Sequence, residues 1–349
     1  MTLQREGYRV LVAAPRDRYS PRFRDLGVEY RALPMDPKGT HPIRELRLLR
    51  RFVRLYRAER PDLTMHFTVK PNIYGALAAA WTKTPSLGTI TGLGTLFLST
   101  GLSSRIGQEL YRLALRYPRK VFFLNESDRE LFVARRLVEA SRSGVIAGAG
   151  IDTDYYAPSE SEKDREIFRF LMITRLIRDK GVREYYAACR ELKKRYSHLR
   201  CTLLGDYYPG NPTAIAPEVI GEWESSGILE YLGNREDIRG ELGQVEALVL
   251  PSYREGLSQV LLEGASMGVP LIASDVPGCR EIVEDGVSGL LCTPRSPESL
   301  SDAMERMMSL SSKQRREMGK AGRRKVLTKF SVERINTVYL DEIRKVLLD

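Results

Sequence analysis

Apolar and polar residues follow two distinct patterns that alternate along this chain. Short apolar runs typical of buried strands occur at 8–14, 63–67, 87–91 and 120–124, and again at 167–174, 199–205, 227–233, 245–252 and 270–274. Stretches with helical spacing follow them at 42–59, 72–83, 104–116, 126–139, 181–196, 258–267, 297–309, 312–328 and 331–348. This alternation predicts an α/β protein with parallel sheets.

A polar stretch, SESEKDRE at 159–166, separates two such series and is typical of a linker. We therefore expect two doubly wound, Rossmann-like domains over 1–158 and 167–330, followed by a helical segment at 331–349. The chain runs from LQREG directly into its first strand. We accordingly expect the N-terminal domain to lack the opening strand and glycine-rich turn, through either a misplaced start codon or loss of that unit.

Composition indicates a folded, globular protein, with 42% hydrophobic and 29% charged residues among 349. No apolar run approaches the ~18 residues that span a bilayer, and the N-terminus has no signal-peptide core. The cysteines form no CxxC pair, which favours free thiols in a reducing compartment. We expect a cytoplasmic protein.

The net charge of +10 is concentrated in part at 41–60, which holds seven arginines. Ile43, Leu46, Leu49, Val53 and Tyr56 recur there at helical spacing, so 42–59 is predicted to be an amphipathic helix with an arginine face. That face is either simply solvated or attracted to an anionic membrane surface. Nucleic acid is the weakest of the three interpretations, and we expect none to bind.

Two cations lie where a strand of the second series ends, in TRLIRDKG. Arg175 follows the strand and Lys180 precedes Gly181 at a helix start. Ligands of such sheets bind at the carboxyl ends of the strands, where an arginine fork and a lysine charge can clamp a diphosphate. The alternative is a pair of solvated surface cations.

The stretch PSYREGLSQVLLEG at 251–264 holds two glutamates eight positions apart. A helix beginning near Ser258 would turn the N–H groups of Gly256, Leu257 and Ser258 toward an anion. Glu255, in the loop, can accept hydrogen bonds from sugar hydroxyls. Glu263, further along the helix, can reach ribose hydroxyls.

These motifs resemble the family 4 glycosyltransferases. The resemblance rests on E-x7-E from Glu255 to Glu263 and R-L-x3-K-G from Arg175 to Gly181. Further marks are LLGD, LGNREDI, SDVPGCREIVEDGVSGLL at 274–291 and GIDTDYYAP at 150–158. HFTVKPNIYGALAA at 66–79 and TITGLGTLF at 89–97 resemble the PglA-like subgroup, which adds N-acetylhexosamine-type sugars to polyprenyl-diphosphate-linked acceptors.

The resemblance implies the GT-B fold, with two domains facing across a cleft and the last helix packing back on the first. It implies a retaining transferase with a nucleotide-sugar donor, expected to be a UDP-sugar, and neither a metal nor another cofactor. Arg175 and Lys180 would hold the diphosphate, Glu255 would contact the donor sugar and Glu263 the ribose. We assign the nucleotide pocket to two loops, comprising Gly205, Asp206, Gly233, Asn234 and Arg235.

The acceptor side would lie in the first domain, at Lys70, Asn72, Thr91 and Gly92. Many family members carry a histidine near Thr91, and this chain does not. His66 is the available imidazole, either structural or orienting the acceptor. The resemblance further implies that the departing diphosphate can deprotonate the acceptor, and that the enzyme works at the cytoplasmic face of the inner membrane.

Other activities remain as alternatives: a non-catalytic or truncated sugar-nucleotide-binding assembly protein, and a GT-B sugar-nucleotide epimerase. A nucleic-acid-associated protein would leave Glu255 and Glu263 unexplained. Asp152 and Asp154 form a DxD pattern known for metal binding in a different transferase fold, but here they fall within GIDTD. The chain has no GxGxxG, GxxxxGK[ST] or HExxH motif, and Ser258 lies in GLSQV rather than in a GxSxG motif.

Overall fold

The computed structural model describes residues 2–36, 41–93, 102–158 and 166–348, apart from the side chains at 102 and 103. The predicted linker at 159–166 falls almost entirely outside these ranges, as does the end of the stretch 89–97. The chain forms two compact units. The first unit comprises Met1–Ile146 and Asn336–Asp349, and the second comprises Ala147–Ile335.

The first unit is built from parallel strands and helices. Its elements are α1 (Thr2–Arg5), β1 (Leu11–Ala14), α2 (Arg22–Asp25), β2 (Glu29–Ala32), α3 (Pro42–Glu59), β3 (Thr64–Phe67), α4 (Ala76–Thr82), β4 (Ser86–Ile90), α5 (Leu102–Ala114), β5 (Lys120–Phe123), α6 (Glu126–Ala134) and β6 (Ser143–Val145). A π-helical turn, Pro71–Gly75, leads into α4. β1 and β2 form a parallel pair, and β3 to β6 form a parallel sheet in chain order.

The second unit contains a larger parallel sheet. Its elements are β7 (Phe168–Ile173), α7 (Val182–Lys193), β8 (Leu199–Leu204), α8 (Pro217–Ser225), β9 (Glu230–Tyr231), α9 (Arg239–Gly243), β10 (Ala247–Leu250), α10 (Gln259–Ser266), β11 (Leu271–Ser274), β12 (Gly289–Cys292), α11 (Pro297–Ser309) and α12 (Ser312–Lys329). The strands lie in the order β12-β11-β10-β7-β8-β9. α13 (Val332–Leu348) starts in this unit and continues into the first.

Burial explains why the central strands read as apolar runs. Phe170, Leu248 and Ile272 are fully buried, as expected for parallel strands covered by helices on both faces. The predicted α/β class with parallel sheets is therefore confirmed.

Several strands were predicted too long: 8–14 contains the four-residue β1 and 245–252 the four-residue β10. The largest difference is at 227–233, which contains only the two-residue β9 between Gly227 and Gly233, with φ of +70° and +71°.

The basic helix α3 forms, but its predicted apolar face is partly wrong. Leu48, Phe52, Val53 and Tyr56 are buried against Ala78 and Ala79 of α4. Ile43 and Leu46 are instead exposed, by 57% and 48%, because α3 packs through its later turns. No helix in the described part of the chain has the length and apolar character needed to cross a membrane.

The end of α13 packs within the first unit. Ile343 and Val346 cluster with the buried Leu87 of β4. The Tyr339 and Thr89 hydroxyls lie 3.0 Å apart. These contacts join the end of the chain to the sheet formed by β3 to β6.

Candidate active site

The strand order of the second sheet reverses beside β7. The chain runs from β7 through β8 to β9 in one direction, then returns to β10 on the other side of β7 and continues outward. The loops after two such neighbouring strands diverge and leave a crevice, which is the usual ligand position in open α/β sheets. Here those loops are 174–181 and 251–258.

Lys180 and Glu255 meet at this reversal. The Lys180 ammonium donates to Glu255 Oε1, and the Ser252 hydroxyl donates to the same oxygen at 2.6 Å. The side chains of Lys180 and Glu255 are only 17% and 11% exposed. An ion pair this shielded is screened less than a surface pair, and losing either partner leaves a charge without compensation. The two predicted residues are thus brought together.

Two glycines allow the loops to approach each other. Gly181 has φ of +76°, and a Cβ there would lie 2.1 Å from the Pro251 carbonyl oxygen. Gly278 has φ of +82°, and a Cβ there would lie 2.6 Å from the Glu255 carbonyl oxygen. Any larger residue would push apart the backbones that hold Lys180 and Glu255.

Ser258 caps α10. Its hydroxyl oxygen accepts a hydrogen bond from the Leu261 N–H at 3.4 Å, and its own N–H donates to the Gly278 carbonyl at 3.0 Å. Both polar groups of Ser258 therefore serve the fold. Gly256 and Leu257 occupy the loop just before the cap, as the sequence predicts.

Arg175 lies at the same edge of the sheet, where its guanidinium stacks on an aromatic ring. The Arg175 Cζ is 5.1 Å from the centroid of the Tyr208 ring, which belongs to the loop after β8. This cation–π contact holds an exposed arginine near the loop that the sequence assigns to the nucleotide.

Glu263 has a different environment from Glu255. It lies in the second turn of α10, where burial raises its pKa to about 7, while hydrogen bonds from Tyr156 and Gln259 act in the opposite direction. The two glutamates thus lie in different environments. Glu255 is paired with the Lys180 cation, whereas Glu263 is largely buried and has neutral neighbours.

The loops after β8 and β9 lie side by side. The Gly205 N–H donates to the Gly233 carbonyl at 2.8 Å, and the Tyr231 hydroxyl donates to the Gly205 carbonyl at 2.8 Å. A Cβ at Gly205 would lie 1.6 Å from the Thr174 carbonyl oxygen, so glycine is required there by the fold itself.

The polar residues of these loops also have partners within the protein. The Asp206 carbonyl accepts from the Leu176 N–H at 3.0 Å, and Arg235 pairs with Glu241 at 3.4 Å. Asn234 follows Gly233 directly. These loops adjoin the Arg175 loop, as the assignment to one pocket requires.

In the first unit, His66 is enclosed by the protein. It is 3% exposed, its Nε2 lies 2.8 Å from the Tyr56 hydroxyl, and burial lowers its pKa to about 3. A Cβ on Gly75 would lie 2.8 Å from its ring. A neutral, enclosed imidazole favours the structural alternative, so we do not carry the acceptor-orienting role of His66 forward.

The other candidates of the first unit lie near the ends of β3 and β4. The amide of Asn72 is buried and donates to the carbonyls of Thr68 and Thr89, at 2.7 and 2.8 Å. Lys70 pairs with Glu45 at 2.5 Å, with both side chains 12% exposed. Asn72 therefore bridges the ends of two strands.

Thr91 and Gly92 follow β4 directly, and Gly92 has φ of +143°.

Asp152 forms a turn, in which its Oδ1 accepts hydrogen bonds from the N–H groups of Asp154 and Tyr155 at 3.1 and 2.8 Å. The DxD pattern is thus explained by backbone geometry.

Two family models match the chain. The model described as "Glycosyl transferase 4-like domain" matches residues 2–148, and the model described as "Glycosyl transferases group 1" matches residues 157–325. The chain belongs to the family 4-like glycosyltransferases.

Among curated relatives of this glycosyltransferase is the N,N'-diacetylbacillosaminyl-diphospho-undecaprenol alpha-1,3-N-acetylgalactosaminyltransferase of Campylobacter jejuni. It is 28% identical over 315 residues, covering 86% of this chain and 81% of the relative. The UDP-Gal:alpha-D-GlcNAc-diphosphoundecaprenol alpha-1,3-galactosyltransferase of Escherichia coli is 24% identical over 330 residues, with the same coverages of 86% and 81%.

Solved structures show that this glycosyltransferase has the GT-B fold. Anabaena HepE in complex with UDP superposes with a TM-score of 0.81 at 20% identity, covering 97% of this chain and 93% of HepE. Sucrose-phosphate synthase from Thermosynechococcus elongatus gives a TM-score of 0.82 at 19% identity, covering 99% and 91%.

Sequence reasoning did not assign two residues that shape the site of this glycosyltransferase. Ser252 orients Glu255, and Gly278 allows the close approach of its loop. The Pro277–Gly278 pair was a turn signal in the sequence. Ser252 offered no such signal, because its partner is set by the folded chain.

Proposed function

We propose that this glycosyltransferase transfers an N-acetylhexosamine from a UDP-sugar to a polyprenyl-diphosphate-linked saccharide, with retention and without a metal ion. The Lys180–Glu255 pair at the strand reversal carries the proposal. The pair places the Lys180 cation beside the Glu255 carboxylate at the edge of the sheet where ligands of such folds bind. A diphosphate is bound by a cation such as Lys180, and sugar hydroxyls donate hydrogen bonds to a carboxylate such as Glu255.

The roles follow from charge and position. Lys180 and Arg175 bind the diphosphate, together with the backbone of Gly256 and Leu257 before α10. The negative charge that develops on the departing diphosphate is offset by these cations and by the α10 dipole. This is the reason that we assign the charge compensation to the protein rather than to a metal.

The chemical step breaks the bond between the anomeric carbon and the diphosphate oxygen. A bond from the acceptor oxygen forms on the same face of the sugar, and the acceptor proton passes to the departing diphosphate. Glu255 accepts hydrogen bonds from donor-sugar hydroxyls and Glu263 from the ribose. No side chain is assigned as the base.

The choice of UDP is supported by names of similar proteins. HepE has been crystallised with UDP, and the Escherichia coli relative uses UDP-Gal. The N-acetylhexosamine is supported by the Campylobacter jejuni relative, an N-acetylgalactosaminyltransferase.

Donor binding tests the proposal through the ion pair. Lys180→Ala should weaken both UDP and UDP-GalNAc, by about tenfold or more, because a charge-assisted hydrogen bond contributes about 1.5–3 kcal/mol. Glu255→Ala should weaken UDP-GalNAc more than UDP, because its contact is with the sugar. Calorimetric titration in the presence of a chelator measures both effects.

The matched control is the exposed Lys320–Glu317 pair on α12, at 2.9 Å. Lys320→Ala and Glu317→Ala should bind like the wild type. Unchanged affinity in Lys180→Ala, or binding that requires a divalent ion, would contradict the assignment.

The acceptor is proposed from the relatives' chemistry. Both named relatives act on saccharides linked to undecaprenyl diphosphate. Incubation with UDP-GalNAc or UDP-GlcNAc and a short-chain polyprenyl-diphosphate saccharide should give an α-linked product, identified from its anomeric NMR signal. A β-linked product would exclude retention, and equal transfer to the free saccharide would exclude lipid-linked selectivity.

We also propose that α3 attracts the enzyme to an anionic membrane surface. Both acidic residues of α3 are paired with cations from elsewhere, Glu45 with Lys70 and Glu59 with Arg9 and Arg31. Its exposed arginines are therefore not neutralised within the helix. Ile43 and Leu46, exposed beside them, are suited to the interface.

Vesicle flotation tests this surface. Neutralising Arg47, Arg50 and Arg54 to glutamine should reduce binding to phosphatidylglycerol vesicles by about 100-fold, because each cation near such a surface contributes about 1 kcal/mol. The control neutralises three exposed cations of α12, Lys313, Arg316 and Lys320. Equal flotation on neutral and anionic vesicles would argue against the proposal.

A further inference from the structure

The loops that carry Lys180 and Glu255 are joined by a third residue, Tyr253. It lies in the loop after β10, two residues before Glu255. Its main-chain N–H donates to the carbonyl of Asp179, the residue before Lys180, at 2.9 Å. The backbones that hold the two charged groups are therefore hydrogen-bonded to each other at Tyr253.

The side chain of Tyr253 makes a second connection. Its hydroxyl donates to Glu184 Oε1 at 2.6 Å. Glu184 lies in the first turn of α7, which begins just after Gly181. Burial, followed by the hydrogen bond to Glu184, raises the pKa of Tyr253 to about 12, so the hydroxyl is protonated and donates at neutral pH. Tyr253 thus contacts the chain on both sides of Lys180.

The carboxylate of Glu184 depends on this contact. Its other oxygen, Oε2, is buried and has no hydrogen-bond partner among the residues that the structure describes. Removing the Tyr253 hydroxyl would therefore leave a partly buried carboxylate without its hydrogen bond, which is costly. We expect the first turn of α7 then to lose its fixed position relative to the loop that carries Glu255.

The ring of Tyr253 has a contact of its own. Arg295, in the loop between β12 and α11, has its Cζ 4.7 Å from the centroid of the ring, a cation–π contact. The strands β7, β10 and β12 are parallel, so the loops that follow them lie at one edge of the sheet. All three loops meet at Tyr253.

We propose that Tyr253 is a positioning residue for the donor sugar, whose two hydrogen bonds fix the distance between Lys180 and Glu255. The proposal rests on the roles given to these two residues in the proposed function. Lys180 holds the diphosphate and Glu255 contacts the sugar, so the spacing of their loops determines where the anomeric carbon lies. A small displacement of reacting groups lowers the rate of transfer strongly.

A matched control lies at the other end of α7. The Tyr196 hydroxyl donates to Glu305 Oε1 at 2.5 Å, and the Arg195 Cζ lies 5.5 Å from the centroid of the Tyr196 ring. Tyr196 therefore has the same kinds of contact as Tyr253, a carboxylate acceptor and an arginine on its ring. The 12 residues of α7 separate it from Gly181 by about 18 Å.

Hydrogen–deuterium exchange of the full chain without ligand tests the link between the loops. In Tyr253→Phe, peptides covering 174–181 and 251–258 should exchange several-fold faster than in the wild type, because the contact with Glu184 is lost. Tyr196→Phe should leave both peptides unchanged. Glu184→Gln keeps an acceptor oxygen and should match the wild type, whereas Glu184→Ala should behave like Tyr253→Phe.

Single-turnover transfer to the polyprenyl-diphosphate saccharide, from whichever of UDP-GalNAc and UDP-GlcNAc the wild type uses, tests the positioning role. In Tyr253→Phe the transfer rate should fall about tenfold, as expected for one lost hydrogen bond to a charged group. Calorimetric affinity for UDP should stay within about twofold, because UDP carries no sugar. Tyr196→Phe should change neither quantity. Combining Tyr253→Phe with Glu184→Ala should slow transfer no further than either change alone.

Unchanged exchange of both peptides in Tyr253→Phe would overturn the proposal. Equal losses of UDP affinity and transfer rate would also overturn it, because they indicate a general loss of structure. If Tyr253→Phe speeds exchange but the wild type neither binds UDP nor transfers a sugar, the proposed function fails. The positioning role then falls with it, whereas the link between the two loops stands.

Discussion

The reversal of strand order beside β7 is the constraint on which the rest of the site depends. It brings the loops after β7 and β10 together, so that Lys180 and Glu255, far apart in sequence, form a shielded ion pair. Glycines at 181 and 278 permit this approach.

The two glutamates of the E-x7-E motif lie close in sequence but in different surroundings. Glu255 precedes α10 and is held by Lys180 and Ser252, whereas Glu263 lies within the helix and is desolvated. Environments that separate two carboxylates in this way allow them to take different roles at one pH. A sugar contact and a ribose contact are roles of this kind.

The sequence predicted those features that depend on local pattern. Buried parallel strands produce apolar runs, and strand ends followed by Arg175, Lys180 and Glu255 indicated one sheet edge. Contacts between residues that are distant in the chain could not be predicted from local sequence patterns. Gly278 meets the main chain of Glu255 only in the folded protein. Ile43 and Leu46 were predicted to be buried because helical spacing alone does not show which turns of a helix are covered.

His66 illustrates the same limit within a strand. Its place near the end of β3 suggested a functional imidazole, yet side chains alternate along a strand and its own points inward to Tyr56. The family models confirmed the glycosyltransferase family that the E-x7-E and R-L-x3-K-G motifs resemble. The donor and acceptor proposed above rest on the similar proteins, not on the site alone.

Hydrogen–deuterium exchange of the full chain, with and without UDP, tests the central claim most directly, because it locates the nucleotide on the backbone. The account predicts slower exchange in peptides covering 175–181 and 255–263, with no change in peptides from α8. Protection confined to the first unit, or distributed without regard to these two loops, would contradict the assignment of the donor site to the strand reversal.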